Sequence, residues 1–363
     1  MVVVVREDAT AEQRAEIARI LTSMAGQVGP QPIASTAGEV FCVPATDLRM
    51  GVRSQLAIHP AVKRIVAIST PYQLASRTLC PEKTHVTVGN VVFGGREPVV
   101  IAGPCSVEDE SQIRKSAQFA RDAGAQMLRG GVFKPRTSPY AFQGLGIAGL
   151  EMLVRAGRET GLPVVTEVME PALVQAVAEV ADMLQIGSRN MQNYPLLRAV
   201  GRSRRPVLLK RGFASTIEEW LLAAEYILAE GNSQVVLCER GIRSFDPMTR
   251  NMLDLTCVPL LNRLTHLPVI VDPSHATGKR DLVVPMGVAA IAAGADGLIV
   301  EMHPRPDEAL SDGEQSIDPA TLQSLVRQSQ AVRSVISLQV TPAAEREGAS
   351  VGLDEDDIPG VTV

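Results

Sequence analysis

A cysteine stands directly after an aliphatic run in the stretch Gly-Pro-Cys-Ser-Val-Glu at 103–108. By itself Cys105 could pack in a core, form half of a disulfide, act as a nucleophile or bind a metal ion. The other candidate metal ligands come far later in the chain, namely His275, Glu301 and Asp312. A thiolate, an imidazole and two carboxylates suit a borderline divalent ion such as Mn²⁺, Fe²⁺ or Zn²⁺. Such an ion acts as a Lewis acid when one coordination position stays open.

Basic side chains follow aliphatic runs in the same way. The set consists of Arg129, Lys134, Arg136, Arg189, Lys210 and Arg240. A guanidinium fork matches the oxygens of phosphate and carboxylate groups, and six cations exceed the need of one monophosphate. Together they indicate a ligand with both phosphate and carboxylate, or two phosphorylated ligands. The alternative for any single member is an ordinary surface charge.

These groups need a common framework, because they are scattered along the chain. From about residue 98 onward, short β-branched runs alternate with helical stretches about eight times. This alternation predicts a TIM (β/α)8 barrel, in which catalytic groups lie at the C-terminal ends of the strands. A doubly wound sheet is the alternative, but it would need a glycine-rich phosphate turn after its first strand. Only at a shared barrel mouth would the four candidate metal ligands meet; taken singly, Cys105 reads as core packing and His275 as a loop residue.

The chain before the barrel has a different pattern of predicted strands and helices. Residues 1–80 read as β-α-β-β-α-β, the pattern of a small α+β ferredoxin-like domain. Residues 81–97 read as a linker and a β-hairpin at the barrel base, with Gly89-Asn90 as its turn. The barrel is predicted over 98–338, and the acidic, Gly- and Pro-punctuated segment 339–363 is predicted to be disordered.

Composition narrows the class of protein. The chain has 363 residues, 45% of them hydrophobic, and a net charge of −5. A nucleic-acid binder usually has a basic excess, and no apolar run approaches the eighteen residues of a membrane span. We therefore expect neither a nucleic-acid partner nor a membrane. Five cysteines form an odd number and no export signal is evident, so we expect reduced thiols in the cytoplasm.

Seven stretches carry a resemblance to a known family. They are IAGPCSVE, LRGGVFKPRTSPYAFQGLG, LQIGSRNMQNY, PVLLKRG, LCERGIRSF, VDPSHATGKRDLV and VEMHPRPDEALSDGEQS. They closely resemble motifs of 3-deoxy-D-arabino-heptulosonate 7-phosphate (DAHP) synthase, in the type I beta subgroup with a ferredoxin-like domain before the barrel. The resemblance covers about residues 1–335 and is denser in the barrel than in the first ninety residues.

The resemblance implies the first step of aromatic amino-acid biosynthesis: phosphoenolpyruvate (PEP), erythrose 4-phosphate and water give DAHP and phosphate. It implies that a divalent metal is held by Cys105, His275, Glu301 and Asp312, and PEP by Arg129, Lys134, Arg189, Lys210 and Arg240. It places Arg136, Thr137 and Ser138 at erythrose 4-phosphate, and makes Lys134, Cys105 and His275 the catalytic residues. Mn²⁺ is the first choice of metal, with Fe²⁺, Zn²⁺ and Co²⁺ as alternatives.

The resemblance also implies a homotetramer whose N-terminal domain binds an aromatic amino-acid effector, tyrosine or phenylalanine; a role in assembly alone is the alternative. The sister enzyme that joins PEP to arabinose 5-phosphate is a rival. The loop sequence KPRTSPY argues against this rival, since the sister enzyme carries Lys-Ala-Asn-Arg at that place. Two further rivals are a Schiff-base aldolase with Lys210 as nucleophile and a catalytically dead barrel that binds a partner.

Overall fold

The computed structural model describes residues 1–25, 32–43, 50–134, 138, 140 and 142–339. The strands are β1 Val2–Val5, β2 Ile33–Ser35, β3 Gly38–Cys42, β4 Val62–Val66, β5 Val86–Val88, β6 Val91–Phe93, β7 Val99–Gly103, β8 Met127–Arg129, β9 Val164–Glu167, β10 Met183–Ile186, β11 Val207–Lys210, β12 Val235–Glu239, β13 Val269–Val271 and β14 Gly297–Glu301. The α-helices are α1 Ala11–Ala25, α2 Met50–Ala57, α3 Glu110–Asp122, α4 Gly146–Thr160, α5 Val174–Val180, α6 Tyr194–Arg202, α7 Ile217–Ala229, α8 Cys257–Leu264, α9 Pro273–Thr277, α10 Arg280–Ala292 and α11 Pro319–Gln339. None of these helices combines the length and apolar character needed to cross a membrane.

The first four strands form an antiparallel sheet in the order β2-β3-β1-β4. Strand β1 is a run of four valines, and all four are buried because it lies between two neighbours. Side chains alternate between the two faces of a strand. Val3 therefore packs with Ile17 and Leu21 of α1, whereas Val2 and Val4 join the large core shared with the barrel. The predicted ferredoxin-like fold is confirmed.

Eight parallel strands, β7 to β14, close into a barrel. Each strand pairs with the next along the chain, and β14 returns to pair with β7, where Glu301 lies opposite Gly103. The helices α3 to α8 and α10 to α11 occur between or after these strands. The predicted TIM barrel is therefore confirmed, and the doubly wound sheet is excluded. The predicted domain boundaries remain a proposal, and the tail from residue 340 lies outside the described residues.

A β-hairpin fills one end of the barrel. Strands β5 and β6 pair through the turn at Gly89-Asn90, with Val88 opposite Val91. Val86, Val88, Val91 and Phe93 form one apolar cluster with side chains from all eight barrel strands. This cluster is the lower part of the barrel interior, so the side chains at the other end of the strands face a different, polar space.

Candidate active site

A cavity of about 290 Å³ lies at the C-terminal ends of the barrel strands. Its lining includes the following predicted site residues: Arg129, Lys134, Ser138, Arg189, Lys210, Arg240, His275 and Asp312. These residues lie at the ends of five different strands, after those strands, or in the loop beyond β14. The closed barrel thus brings together residues that are separated by up to 183 positions. Arg136 and Thr137 lie outside the described residues.

The buried cations of this cavity are only partly balanced by acids. Lys210 Nζ donates to Asp272 Oδ2 at 2.5 Å, and Arg129 Nη1 lies 3.2 Å from Glu301 Oε1. Yet Nε and Nη1 of Arg129 have no hydrogen-bond partner among the described residues. Arg240 is only 3% exposed, and burial lowers its pKa despite the nearby Asp272. Buried donors and uncompensated positive charge favour binding of an anion.

An aromatic ring organises part of this basic surface. Phe213, which follows β11 in the chain, lines the cavity. The guanidinium carbons of Arg240, Arg189 and Arg243 lie 4.6, 5.3 and 5.4 Å from the centre of its ring. Cations over an aromatic face are attracted by its quadrupole. Phe213 thus stabilises three like charges next to one another.

Next to the cations lies a cluster of metal-capable atoms. Cys105 Sγ and carboxylate oxygens of Glu301 and Asp312 all lie within 4.8 Å of one another. Cys105 Sγ donates to Asp312 Oδ2 at 3.1 Å, and His275 Nε2 lies 3.1 Å from Glu301 Oε1. The structure therefore brings together all four predicted ligands. Cys105, Glu301 and Asp312 lie close to one another, and His275 lies next to Glu301.

The cluster has the features of a metal site. Glu301 Oε1 is buried and has no contact of hydrogen-bond geometry, although His275 and Arg129 lie near it. His275 Nδ1 is 2.7 Å from Asp272 Oδ2, which leaves Nε2 facing the cluster. At metal sites in proteins, a carboxylate commonly holds one nitrogen of a histidine while the other nitrogen binds the ion. These residues therefore fit a borderline divalent cation.

The ionisation of the cluster supports the same reading. Burial raises the pKa of Cys105 to about 12, with Glu301 adding to the shift, although Lys134 Nζ lies 2.9 Å from the sulfur. Such a thiol is not an activated nucleophile, but a coordinated metal deprotonates it. Burial would raise the pKa of Glu301, yet His275 and Arg129 outweigh it and hold that pKa well below its usual value. The carboxylate is thus ionised and available as a ligand.

Asp272 connects the basic cavity with the cluster of metal-capable atoms, although the sequence assigned no role to it. It is fully buried at the start of α9, where its Oδ1 accepts from the backbone N–H of His275 at 2.9 Å. Its Oδ2 meets both Lys210 and the His275 ring. Burial would raise its pKa, but His275 and Lys210 hold it well below the usual value. Its position after β13 was visible in the sequence, whereas its partners were not.

Two other lining residues, Gln185 and Arg250, were missed, whereas the sequence placed Glu167 at a strand end without a role. Glu167, Gln185 and Arg250 reach the cavity from β9, β10 and the loop before α8. Arg250 Nη1 lies 3.6 Å from Asp312 Oδ1. Polar residues at the ends of β9 and β10 were a signal for Glu167 and Gln185. All five cysteines are free, so Cys105 forms no disulfide.

Comparisons with known proteins agree on one family. The model of the DAHP synthetase I family matches residues 75–337. A phospho-2-dehydro-3-deoxyheptonate aldolase of Thermotoga maritima is 50% identical over 279 residues, which are 77% of this chain and 82% of that protein. A 2-dehydro-3-deoxyphosphooctonate aldolase of Syntrophotalea carbinolica is 33% identical over 268 residues, 69% of this chain and 96% of that protein.

Solved structures give the same picture. The crystal structure of a phospho-2-dehydro-3-deoxyheptonate aldolase (DAHP synthase) from Thermotoga maritima superposes with a TM-score of 0.73 at 43% identity. The match covers 92% of this chain and 97% of that one, so it includes the N-terminal sheet as well as the barrel. A truncated form of 3-deoxy-D-arabino-heptulosonate 7-phosphate synthase from the same organism gives a TM-score of 0.69 at 48% identity, over 73% of this chain and 97% of that chain.

Proposed function

The chain belongs to the DAHP synthetase I family, and we infer that it condenses PEP with D-erythrose 4-phosphate and water to give DAHP and phosphate, the first step of the shikimate pathway. The observation that supports this best is the cavity at the barrel mouth. Six Arg and Lys side chains line it beside a cluster of metal-capable atoms, and five of them belong to the predicted PEP set. A substrate with a carboxylate and a phosphate, together with a second phosphorylated substrate that has an aldehyde, would use both features.

We propose that the cations hold PEP. The set consists of Arg129, Lys134, Arg189, Lys210 and Arg240. The unpaired donors of Arg129 and the excess positive charge of the set match the carboxylate and phosphate oxygens of PEP. Arg136, Thr137 and Ser138 would bind the phosphate of erythrose 4-phosphate, and Ser138 supports this because it lines the same cavity. The catalytic residues would be Lys134, Cys105 and His275.

Cys105, His275, Glu301 and Asp312 would hold a divalent metal ion, with Mn²⁺ as the first choice and Fe²⁺, Zn²⁺ or Co²⁺ as alternatives. When bound, the ion would supply Lewis acidity toward the aldehyde oxygen. Burial raises the pKa of Cys105, so its thiol would lose a proton when it binds the ion. The Schiff-base alternative uses none of these ligands, and Lys210 is committed to Asp272 at 2.5 Å.

The chain's own residues would perform the reaction as follows. C3 of PEP attacks the aldehyde carbon, and Lys134 donates a proton to the aldehyde oxygen as the new C–C bond forms. The positive charge that develops at C2 is met by water, which adds there and loses a proton. Cleavage of the C2–O bond of the resulting hemiketal phosphate then releases phosphate. The preorganised guanidinium and ammonium groups stabilise the phosphate charges throughout.

The test is a turnover assay of the metal-loaded chain with PEP and each of two sugars, erythrose 4-phosphate and arabinose 5-phosphate. We expect phosphate release with the first sugar only. Preference for the five-carbon sugar would support the sister reaction, which the octonate aldolase relative keeps as the second candidate. Cys105→Ala should lose metal-dependent turnover, and full activity of this variant without added metal would contradict the role of Cys105. A wild-type chain that turns over neither sugar would favour the dead barrel.

We also propose that the N-terminal domain, residues 1–80, regulates the barrel, that tyrosine or phenylalanine is the effector, and that the chain works as a cytoplasmic homotetramer. Leu74 and Leu79 pack in the core shared with the barrel, so a truncation should end at residue 70 to keep them. This truncation should abolish inhibition by the effector. Inhibition that persists unchanged would refute a regulatory role, and light scattering would test the tetramer.

A further inference from the structure

The loop that carries Asp312 follows β14 and spans 302–316. It contains two short 3₁₀ turns, Pro306–Glu308 and Gly313–Gln315, with Asp312 directly before the second. Asp312 adopts a left-handed conformation, with φ at 52° and ψ at 35°. An aspartate adopts this region more readily than most non-glycine residues, because its short polar side chain can hydrogen-bond locally. Contacts from other segments then fix the position of its carboxylate.

Arg250 supplies one of these contacts, and the segment after β7, which carries Cys105, supplies another. This segment and the loop run past each other in opposite directions and meet at three consecutive levels. Cys105 Sγ donates to Asp312 Oδ2, the hydroxyl of Ser106 hydrogen-bonds that of Ser311, and Glu108 Oε1 accepts from the backbone N–H of Leu310 at 2.8 Å. Only the first of these pairs belongs to the metal cluster.

The other oxygen of Glu108 reaches the start of the same loop. Glu108 Oε2 lies 3.5 Å from Nε2 of His303, and the two side chains are only 10% and 7% exposed. His303 Nδ1 accepts from the backbone N–H of Arg305 at 3.0 Å, so Nε2 carries the hydrogen that faces Glu108. One buried carboxylate therefore hydrogen-bonds the loop at Leu310, just before Asp312, and lies beside His303 near the loop's beginning, in an approach without hydrogen-bond geometry.

We propose that Glu108 is a positioning residue that sets the metal affinity of the cluster by holding Asp312 over Cys105. The proposal rests on the metal-dependent function proposed above. Glu108 lies outside the cluster formed by Cys105, Glu301 and Asp312, and its Oε1 accepts from the Leu310 N–H. Removing a partner that orients a metal ligand typically lowers metal affinity by about 10- to 100-fold. We name the contacts of Ser106 with Ser311 and of Glu108 with Leu310 and His303 the loop latch.

The test is a Co²⁺ titration of the full-length, chelator-treated protein, followed by the cobalt–thiolate absorption band. Glu108→Ala should weaken Co²⁺ binding by about 10-fold or more. Ser311→Ala should weaken it as well without changing any charge. Glu110→Ala is the matched control, because it removes the same charge two residues away from a half-buried position paired with Arg155 and Arg114. It should bind Co²⁺ like the wild type.

Unchanged Co²⁺ affinity in Glu108→Ala would overturn the proposal, as would an equal loss in Glu108→Ala and Glu110→Ala, which would indicate a charge effect. Circular dichroism of the metal-free variants checks that they fold. If Glu108→Ala is unfolded, the Co²⁺ affinity of Ser311→Ala tests the proposal instead. A Ser311→Ala affinity equal to that of the wild type then overturns the role of the loop latch. A wild type that binds no Co²⁺ overturns the metal site and the latch together. A wild type that binds Co²⁺ but does not condense the substrates overturns the proposed function alone.

Discussion

Replacing Asp272 by asparagine tests whether one buried carboxylate joins the cation cavity to the metal cluster. In the native chain, Oδ1 accepts the His275 backbone N–H, and Oδ2 accepts from Lys210 Nζ and His275 Nδ1. An asparagine cannot reproduce this pattern, because its amide nitrogen is a donor. In one orientation that nitrogen faces two donors, and in the other it faces the backbone N–H. In the first orientation, the His275 ring is favoured with its hydrogen on Nε2, toward Glu301.

The expected effects follow from the burial of these groups. Asp272 is fully buried and Lys210 is 4% exposed. Loss of one partner of a buried ion pair costs about 3–5 kcal/mol of folding free energy. For a barrel of 150–250 residues, about 2–4 °C of Tm corresponds to each kcal/mol, so a 3 kcal/mol loss lowers Tm by about 6–12 °C. A histidine with the wrong tautomer should also weaken metal binding by about 10- to 100-fold.

The assay combines thermal unfolding of the metal-free protein with Co²⁺ titration. Asp296→Asn is the matched control: Asp296 is 5% exposed, pairs with Lys83 at 2.6 Å and accepts from the Val269 N–H, but it lies before β14 and away from the mouth. We expect both variants to lose stability and only Asp272→Asn to lose metal affinity. Unchanged Co²⁺ affinity in Asp272→Asn, or equal losses in both variants, would refute the reasoning.

Three further predictions follow from other contacts. Phe213→Leu removes the ring beneath three guanidiniums, each contact worth about 0.5–1 kcal/mol, so the KM for PEP should rise several-fold with kcat less affected; Phe213→Tyr should restore it, and an unchanged KM in the leucine variant would contradict this role. Gly103→Ala would place a methyl carbon 2.1 Å from the Arg129 carbonyl oxygen, so β7 must move from β8 and Tm should fall by several degrees, whereas an unaltered melting curve would argue against the close approach. Burial lowers the pKa of His266, whose Nε2 lies 2.7 Å from the Leu74 carbonyl. As the pH falls below about 6.5, the unfolded chain binds a proton before the folded chain does, so the free energy of unfolding should decrease. His266→Gln should make this decrease smaller in unfolding experiments between about pH 5 and 8.

Much of the fold was predictable because its signals are local. Alternation of β-branched runs with helical stretches predicts the barrel, and the position of a residue after a strand predicts that it faces the mouth. Cys105, Lys210 and Glu301 were found in this way, and each lies where it was expected. The run of valines at the N-terminus likewise predicted a strand over 2–7, which the structure shows as β1.

The pairings inside the site could not be predicted in the same way. Which acid meets Lys210 depends on how the closed barrel staggers its strands, and the partner, Asp272, is 62 positions away. The same is true of Glu108 and Leu310, which are 202 positions apart. Local periodicity contains no information on such distant contacts. His303 illustrates the limit: its sequence position left open whether it is solvated or close to the metal ligands, and it is buried against Glu108.

The hairpin that fills the lower end of the barrel also determines from which side substrates can enter the cavity. Val86, Val88, Val91 and Phe93 close that end with apolar side chains, so within the described part of the chain the cavity is open on the mouth side alone. Two substrates that enter through the same opening cannot bind in either order, because the one bound nearer the opening blocks the way of the other. Under the proposed function, we therefore expect the substrate that binds deeper in the cavity to bind first.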